Sequence, residues 1–333
     1  MSAFLEGDIW RLLSVAKMLR LSRVFAHLRR ISFFLVRMSG VPYCIREIVQ
    51  RHRVTILVYH KPQPEAADRQ FAALRQKYSI ISLAEYLGYR EEPEKHLPPK
   101  PLIVTLDDGY KTNYALTPIL KKHGIRATIF LCSGLVGTNR HFWFETAMNR
   151  SLREKLKRLP DSKRLAALAE MGFSEATEQA LPQALSEDEI EEMKQVVDFQ
   201  SHTVYHPMLQ NCPESRALEE ISDSKSQLER KLGLVVNALA YPNGEYSARE
   251  IEAAKRSGYK CAVSMDCGFN SRTTPAFQLK RFCMNDDGEL DELLVKASGL
   301  WAFLKTYTEG VTRLWPTSRN KRKCAHWSVP YEE

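Results

Sequence analysis

The chain has 333 residues, 44% of them hydrophobic and 26% charged, and a formal net charge of +8. Those proportions exclude a disordered or low-complexity polypeptide, and the length accommodates one large domain or two small ones. No stretch approaches the ~20 apolar residues of a membrane span, and the excess charge sits at the ends: ten Lys and Arg against three acids in residues 1–53, five against two in residues 313–333. The body between is close to neutral, so no nucleic-acid partner is expected.

Residues 3–37 read as one or two amphipathic helices. Leu5, Ile9, Leu12, Leu13, Ala16 and Leu19 recur at helical spacing, followed by Leu21, Val24, Phe25, Leu28, Ile31 and Leu35. The other face is rich in Arg, and Ser39-Gly40 with Pro42 ends the pattern. Two readings stand side by side. The arm lies on anionic lipid through residues 1–37, or its apolar face packs on the main domain. Glu6, Asp8 and the interrupting arginines do not suit a secretory signal. Seven scattered cysteines without a C-x-x-C pair suit a reducing compartment. The expected location is the cytoplasm, peripheral to the inner leaflet if the arm binds lipid.

From Val54 short β-branched runs begin: 54–59, 102–106, 127–131, 196–199, 238–241 and 260–264. Helical stretches lie between them at Ala66–Gln76, Asn113–His123, Ala217–Leu232 and Ala248–Ser257. This alternation predicts a parallel sheet with crossover helices, closed or nearly closed into a barrel. An open doubly wound sheet fits less well, because no glycine fingerprint follows the first strand. Residues 145–195 interrupt the rhythm with charged helical segments and no strand. The expected division is a basic helical arm (1–50), a barrel (51–300) with a helical insertion (142–195), and a basic tail (301–333).

Reactive groups in such barrels sit at the C-terminal ends of strands. There the sequence offers Tyr59-His60, Asp107-Asp108-Gly109-Tyr110, Ser201-His202-Thr203-Val204-Tyr205-His206-Pro207 and Pro242-Asn243-Gly244. Adjacent carboxylates after an apolar strand are either a solvated turn or a buried pair that needs a cation. The i, i+4 histidines can share a metal if they lie on one helical turn. Two imidazoles and one carboxylate leave open positions on the metal, as catalysis requires, and the second Asp is then free to act as a base.

In this order, T-L-D-D-G-Y, S-H-T-V-Y-H-P and Y-P-N-G resemble the first three motifs of the polysaccharide deacetylases (carbohydrate esterase family 4, the NodB homology domain). I-L-V-Y-H at 56–60 and Arg281-Phe282 also resemble its bacterial members, and the likeness covers roughly residues 54–300. It implies a distorted, incomplete (β/α) TIM-like barrel and a metal-dependent de-N-acetylase of N-acetylated sugars, a hydrolase of non-peptide C–N bonds. It implies Asp107 as general base and Asp108, His202 and His206 as ligands of a divalent metal, zinc by preference. Tyr110, Pro242, Asn243, Gly244 and Trp143 are the candidates for contact with the substrate or its oxyanion. The backbone N–H of Asn243 is the expected oxyanion donor.

Three departures from the pattern matter. Ala240 stands where an Arg usually pairs with the base, and Arg281 is the candidate substitute. No Leu-x-His follows to supply a general acid; His60, and less so Glu145, are candidates. Gln200 replaces a Gly. Asp108 and His202 are 94 positions apart, so the insertion is expected to shape the substrate groove. Phe142, Trp143 and Phe144 either anchor it or stack on sugar. The resulting expectation is an enzyme of polysaccharide or glycoconjugate metabolism, and a lipid-linked acceptor would give the basic arm a purpose. The alternatives are a metal amidohydrolase on a non-sugar amide and a non-catalytic sugar-binding barrel. Keeping both Asp and both His argues against the last, since binding alone needs no base.

Overall fold

The computed structural model describes residue 24, residues 26–147 and residues 149–304. The first half of the expected arm and the tail from residue 305 lie outside the described residues. Eight strands form a single parallel sheet: β1 (Thr55–Tyr59), β2 (Ser79–Ile80), β3 (Pro101–Leu106), β4 (Ala127–Leu131), β5 (Val197–Ser201), β6 (Ala238–Ala240), β7 (Cys261–Val263) and β8 (Phe282–Cys283). Their order is β7-β6-β5-β4-β3-β1-β8, with β2 paired to β3 outside that path. The helices are α1 (26–38), α2 (Val41–Cys44), α3 (Pro64–Arg75), α4 (Leu83–Glu91), α5 (Thr117–His123), α6 (Trp143–Thr146), α7 (Arg150–Lys157), α8 (Asp161–Glu170), α9 (Glu187–Met193), α10 (Glu214–Leu232), α11 (Ala248–Arg256) and α12 (Leu290–Ala297).

Strand alternation divides the apolar residues between two layers. Leu57, Tyr59, Leu102, Val104, Leu106, Ile129 and Leu131 pack with the surrounding helices, whereas Ile56, Ile103, Phe130, Val263 and Leu279 fill the inside of the curl. Along β3 the inward positions are Ile103, Thr105 and then Asp107, so the pleat itself turns that carboxylate toward the barrel axis. Helix starts follow a simple local rule: Ser82, Ser186 and Ser247 each form a capping box with the Glu three residues on.

The curl is closed only in part. Leu279 bridges to Val263 of β7, and Phe282 pairs with Leu57 of β1. The short run 279–283 therefore spans the gap between the two ends of the sheet. This is a distorted, incomplete (β/α) barrel. Between β4 and β5 the insertion contributes α6–α9 and a core of its own, in which Leu135, Phe142, Trp143, Leu156, Leu168 and Phe173 are buried together.

Helix α1 packs on the barrel, but through its basic face. Arg29, Arg30 and Arg37 pair with Glu292, Glu289 and Asp291 of α12 or its N-cap at 2.6–2.7 Å, and Phe33 meets Trp301 at 4.9 Å. The expectation that the apolar face would be the one to pack is thus reversed over these residues, because α12 opens with three acids that attract the arginines. Among the described residues no helix is long and apolar enough to cross a membrane.

Candidate active site

Strand register brings the reactive groups to one end of the sheet. Tyr59 pairs with Leu106 and Leu131 with Ser201, so His60, Asp107 and His202 each take the first position beyond a strand. Asp107 N–H donates to the Tyr59 carbonyl (3.0 Å) and His202 N–H to that of Leu131 (2.7 Å). Beyond the strands the backbone turns sharply. Asp108, Thr203, His206 and Asn243 all have positive φ, of 72°, 68°, 56° and 54°. Each such non-glycine position costs about 1–3 kcal/mol, and among the described residues only Lys100 shares it outside these motifs. Gly244, at φ +65°, could not be replaced: a Cβ there would lie 2.4 Å from the Met265 backbone nitrogen.

Asp107 is held by Arg281 in a fork. Nη1 donates to Oδ1 at 2.7 Å and Nη2 to Oδ2 at 2.8 Å, with both side chains buried. The guanidinium is fixed in turn by the Ser264 carbonyl (3.0 Å from Nε) and Thr105 Oγ1 (3.4 Å). Burial alone would raise the Asp107 carboxyl. The charge and the hydrogen bonds of Arg281 outweigh it and hold the group below the usual carboxylate range. A cation from the far end of the chain thus occupies the role that Ala240 cannot fill.

Asp108, His202 and His206 converge, with one potential ligand atom from each within 4.8 Å of the others. His202 Nε2 and His206 Nε2 lie 3.5 and 3.6 Å from Asp108 Oδ1. That oxygen is buried with no hydrogen-bond partner among the described residues. His202 Nδ1 faces the Ala240 carbonyl at 2.7 Å. A carbonyl only accepts, so Nδ1 carries the proton and Nε2 offers its lone pair. Burial lowers both imidazoles below the ordinary histidine value, so they are neutral donors at neutral pH. Burial, and then the charge of Asp107, push the Asp108 carboxyl well up. A divalent cation would relieve that penalty, satisfy the orphaned oxygen and suit the His₂Asp donor set, so the residues present fit a metal.

The remaining candidates are placed as follows. His60 stands beside Asp107, its turn fixed by backbone N–H bonds from His60 and Lys61 to Asp286 and by Asn113 Nδ2 on the His60 carbonyl. Burial pulls its imidazole down to about 4; Asp107 opposes this, while Arg281, His202 and Lys61 reinforce it. Tyr110 donates to Glu145 Oε1 at 2.9 Å and carries the Lys61 ammonium 3.9 Å from its ring centroid. Glu145 also pairs with Lys61 at 2.7 Å and stays ionised. Pro242 and Gly244 are buried, and half-buried Asn243 accepts from Lys157 Nζ at 3.2 Å.

Trp143 requires a correction. The expectation that it meets the substrate fails, because it is only 1% exposed, donates its indole N–H to the His206 carbonyl (2.8 Å) and packs on the Arg164 guanidinium. It anchors the insertion from behind. Phe142 is equally buried, and Phe144 lies edge-on to His206 at 4.9 Å.

Three contributors escaped sequence reasoning. Lys61 and Lys157 reach the site from a turn and from the insertion. Glu220 lies on α10, 3% exposed, and its Oε2 accepts the N–H groups of Val204 and Tyr205 at 2.8 and 2.9 Å. It thereby braces the loop between the two histidines. Arg216, one turn earlier, ties Glu220 to Asp161 and Glu175 of the insertion. The one available signal was an acid in line with Ala217, Ile221 and Ser224 on the buried face of α10.

Residues 94–262, just over half of the chain, match the family model for polysaccharide deacetylase. The chain belongs to the polysaccharide deacetylase family. The matched segment holds Asp107, Asp108, His202, His206 and the 242–244 turn, but neither His60 nor Arg281. YxkH of Bacillus subtilis (strain 168), a curated protein named for the same family, is 26% identical over 184 residues, 55% of this chain and 50% of that protein. This deacetylase-family chain thus spans about half the length of the curated relative it matches. The Streptococcus pyogenes deacetylase PplD, solved in complex with acetate, shares the fold with a TM-score of 0.55 and 24% identity, over 74% of this chain and 99% of that one. A de-N-acetylase from Aggregatibacter actinomycetemcomitans does so with a TM-score of 0.52 and 19% identity, over 71% and 97%.

Proposed function

We propose that this member of the family is a metal-dependent de-N-acetylase, hydrolysing the acetamide of an N-acetylated saccharide in polysaccharide or glycoconjugate metabolism. One observation carries the reading. A carboxylate kept ionised by a buried arginine stands next to a three-donor group able to hold a cation. A sugar-binding barrel without catalysis would have no use for that carboxylate. Membership of the family supports the substrate class, and the name of the Aggregatibacter protein describes the same bond cleavage.

Asp108, His202 and His206 would hold the metal, with zinc best suited to two imidazoles and a carboxylate. When bound, it supplies a Lewis acid that polarises the acetamide carbonyl and makes water more acidic. Asp107, kept charged by Arg281, accepts a proton from the attacking water as the new C–O bond forms at the carbonyl carbon. The left-handed Pro242-Asn243-Gly244 turn fixes the Asn243 N–H as the candidate donor to the oxyanion. As the C–N bond breaks, the leaving nitrogen needs a proton. His60, neutral in the resting site and coupled electrostatically to Asp107, is the candidate for taking up the proton that Asp107 accepted and passing it on. The products are acetate and a free amino sugar. A lipid-linked acceptor used at the cytoplasmic face belongs to the same reading.

The test is acetate release from polymeric, nucleotide-linked and lipid-linked N-acetylated sugars and from non-sugar N-acetyl amides, with and without zinc after chelation. Zinc-restored release from any of these supports the proposal. Release only from non-sugar amides would make the protein a general amidohydrolase, and stoichiometric zinc binding without release from any substrate would make it a binding barrel.

A further inference from the structure

Helix α1 is inside out. Arg29, Phe33 and Arg37 face the barrel, while on the opposite side Val24, Leu28, Ile31, Leu35 and Met38, at alternating steps of four and three, are 47–62% exposed. Large apolar residues aligned this way on an outer face mark a contact surface. The cations that might have sought lipid from the helix itself are already paired with α12.

The chain around the stripe indicates what covers it. Residues 1–23 carry four Lys or Arg against two acids, and residues 305–333 carry six against three. The first segment enters α1 directly. The second departs just after Trp301, which touches Phe33. Two net-positive segments therefore adjoin α1, the first along the chain and the second through the Phe33–Trp301 contact on its barrel-facing side. A second copy would bring like charges together, and the stripe spans only two heptads before Lys17 breaks its phase, too short for a coiled coil. An anionic bilayer answers both features, with hydrocarbon for the stripe and negative headgroups for the ends.

We propose that the outer face of α1 is a docking surface for an anionic membrane, in which Leu28, Ile31 and Leu35 enter the interface and the two basic ends contribute electrostatic attraction. The surface is separate from the strand-end site, and the proposal stands or falls independently of the deacetylase reading.

The experiment is co-sedimentation of the full chain with phosphatidylcholine vesicles, with and without one quarter phosphatidylglycerol. The protein should pellet with the anionic vesicles, less so as salt is raised. Leu28→Ser/Ile31→Ser/Leu35→Ser should reduce that binding by about tenfold or more without changing the circular dichroism. In case the triple variant misfolds, hydrogen–deuterium exchange of the unmodified chain gives a second reading: residues 26–38 should gain protection on anionic vesicles. The proposal is overturned if the chain stays in the supernatant or if exchange over 26–38 is unchanged. It is equally overturned if a folded triple variant pellets as well as the parent, or if the parent is a dimer that the variant converts to monomer.

Discussion

The strand ends of the barrel and the inserted helices α6–α9 treat charge in opposite ways. At the strand ends Asp107, Asp108, His202 and Arg281 are buried, each on a backbone set by register or by a left-handed turn. On the insertion, pairs such as Lys157–Glu154 are one helical turn apart and partly exposed, and such pairs contribute little; the buried Asp161–Arg164 pair against Trp143 is the exception. The first region can hold reacting atoms still; the second can vary and still fold. Among the described residues the two regions meet at several joints: the Trp143 indole on the His206 carbonyl, Phe144 edge-on to His206, Glu145 on Lys61 and Tyr110, and the Arg216 cluster on Glu220. The contrast teaches that the barrel sets the chemistry while the insertion influences it through those joints and through Lys157 at Asn243.

Breaking the strand-end group should have the largest effect. His202→Ala combined with His206→Ala is expected to lose nearly all bound zinc by elemental analysis and to cut acetate release by about 10³-fold or more, since one carboxylate cannot keep a tight site. Asp107→Asn separates base from ligand. It should retain zinc while turnover falls by about 10²–10⁴-fold, whereas Asp108→Asn should weaken zinc binding. Loss of metal in the Asp107 variant would reverse the two roles.

Arg281→Met comes next, with a stability loss of about 3–5 kcal/mol from stranding a buried carboxylate, measured by urea unfolding. The Asp107 carboxyl lies lower in the folded than in the unfolded chain, so the pair contributes stability above the unfolded value near 4 and loses it as pH falls through the folded value. Without the arginine that carboxyl rises, and the acidic limb of the rate profile should move to higher pH. An unmoved limb would detach Arg281 from the reaction.

Glu220 tests the joint itself. Burial pushes its carboxyl up to about 7 against an ordinary value of 4.5. Between those values the folded chain binds more protons than the unfolded one, so stability should fall as pH rises from 4.5 to 7. Glu220→Gln keeps an oxygen for the two amides and should flatten that slope while retaining zinc; Glu220→Ala should lose about 1–3 kcal/mol and weaken zinc binding. The smallest effect is expected from Trp143→Phe, which loses one hydrogen bond worth about 1 kcal/mol and should leave substrate KM nearly unchanged. A large rise in KM there would restore the stacking role that burial denies.

Six of the eight strands were legible because each is a β-branched or small apolar run with a turn at its end, and the candidate metal group was legible because its donors lie in compact motifs. The two-residue strands β2 and β8 escaped, since two residues have no period and exist only by pairing with a neighbour. Helices α4 and α12 passed unmarked, although Ser82 with Glu85 is a readable start signal. Arg281 could be suspected because the resemblance implies an arginine beside Asp107 and Ala240 cannot supply it, but only the partly closed curl shows it arriving. Lys157 was beyond reach, since it acts from a helix whose sequence reads as ordinary amphipathic surface, and Glu220 showed only as an acid in line with the buried face of α10. Trp143 misled because the same ring serves as a plug or as a platform, and only burial distinguishes the two.

The short run that bridges the sheet ends also sets an order in time. Arg281 follows Asp107 by 174 positions, and at about 5–20 residues per second a ribosome needs roughly ten to thirty seconds to make the interval. For the last 75 of those positions the growing chain already contains both carboxylates and both histidines but lacks the guanidinium that keeps Asp107 charged in a buried place. The ionised Asp107 that the proposed base role needs is therefore among the last features acquired during synthesis, and a product cut short before residue 281 would carry all three motifs that resemble the family while leaving Asp107 without its guanidinium.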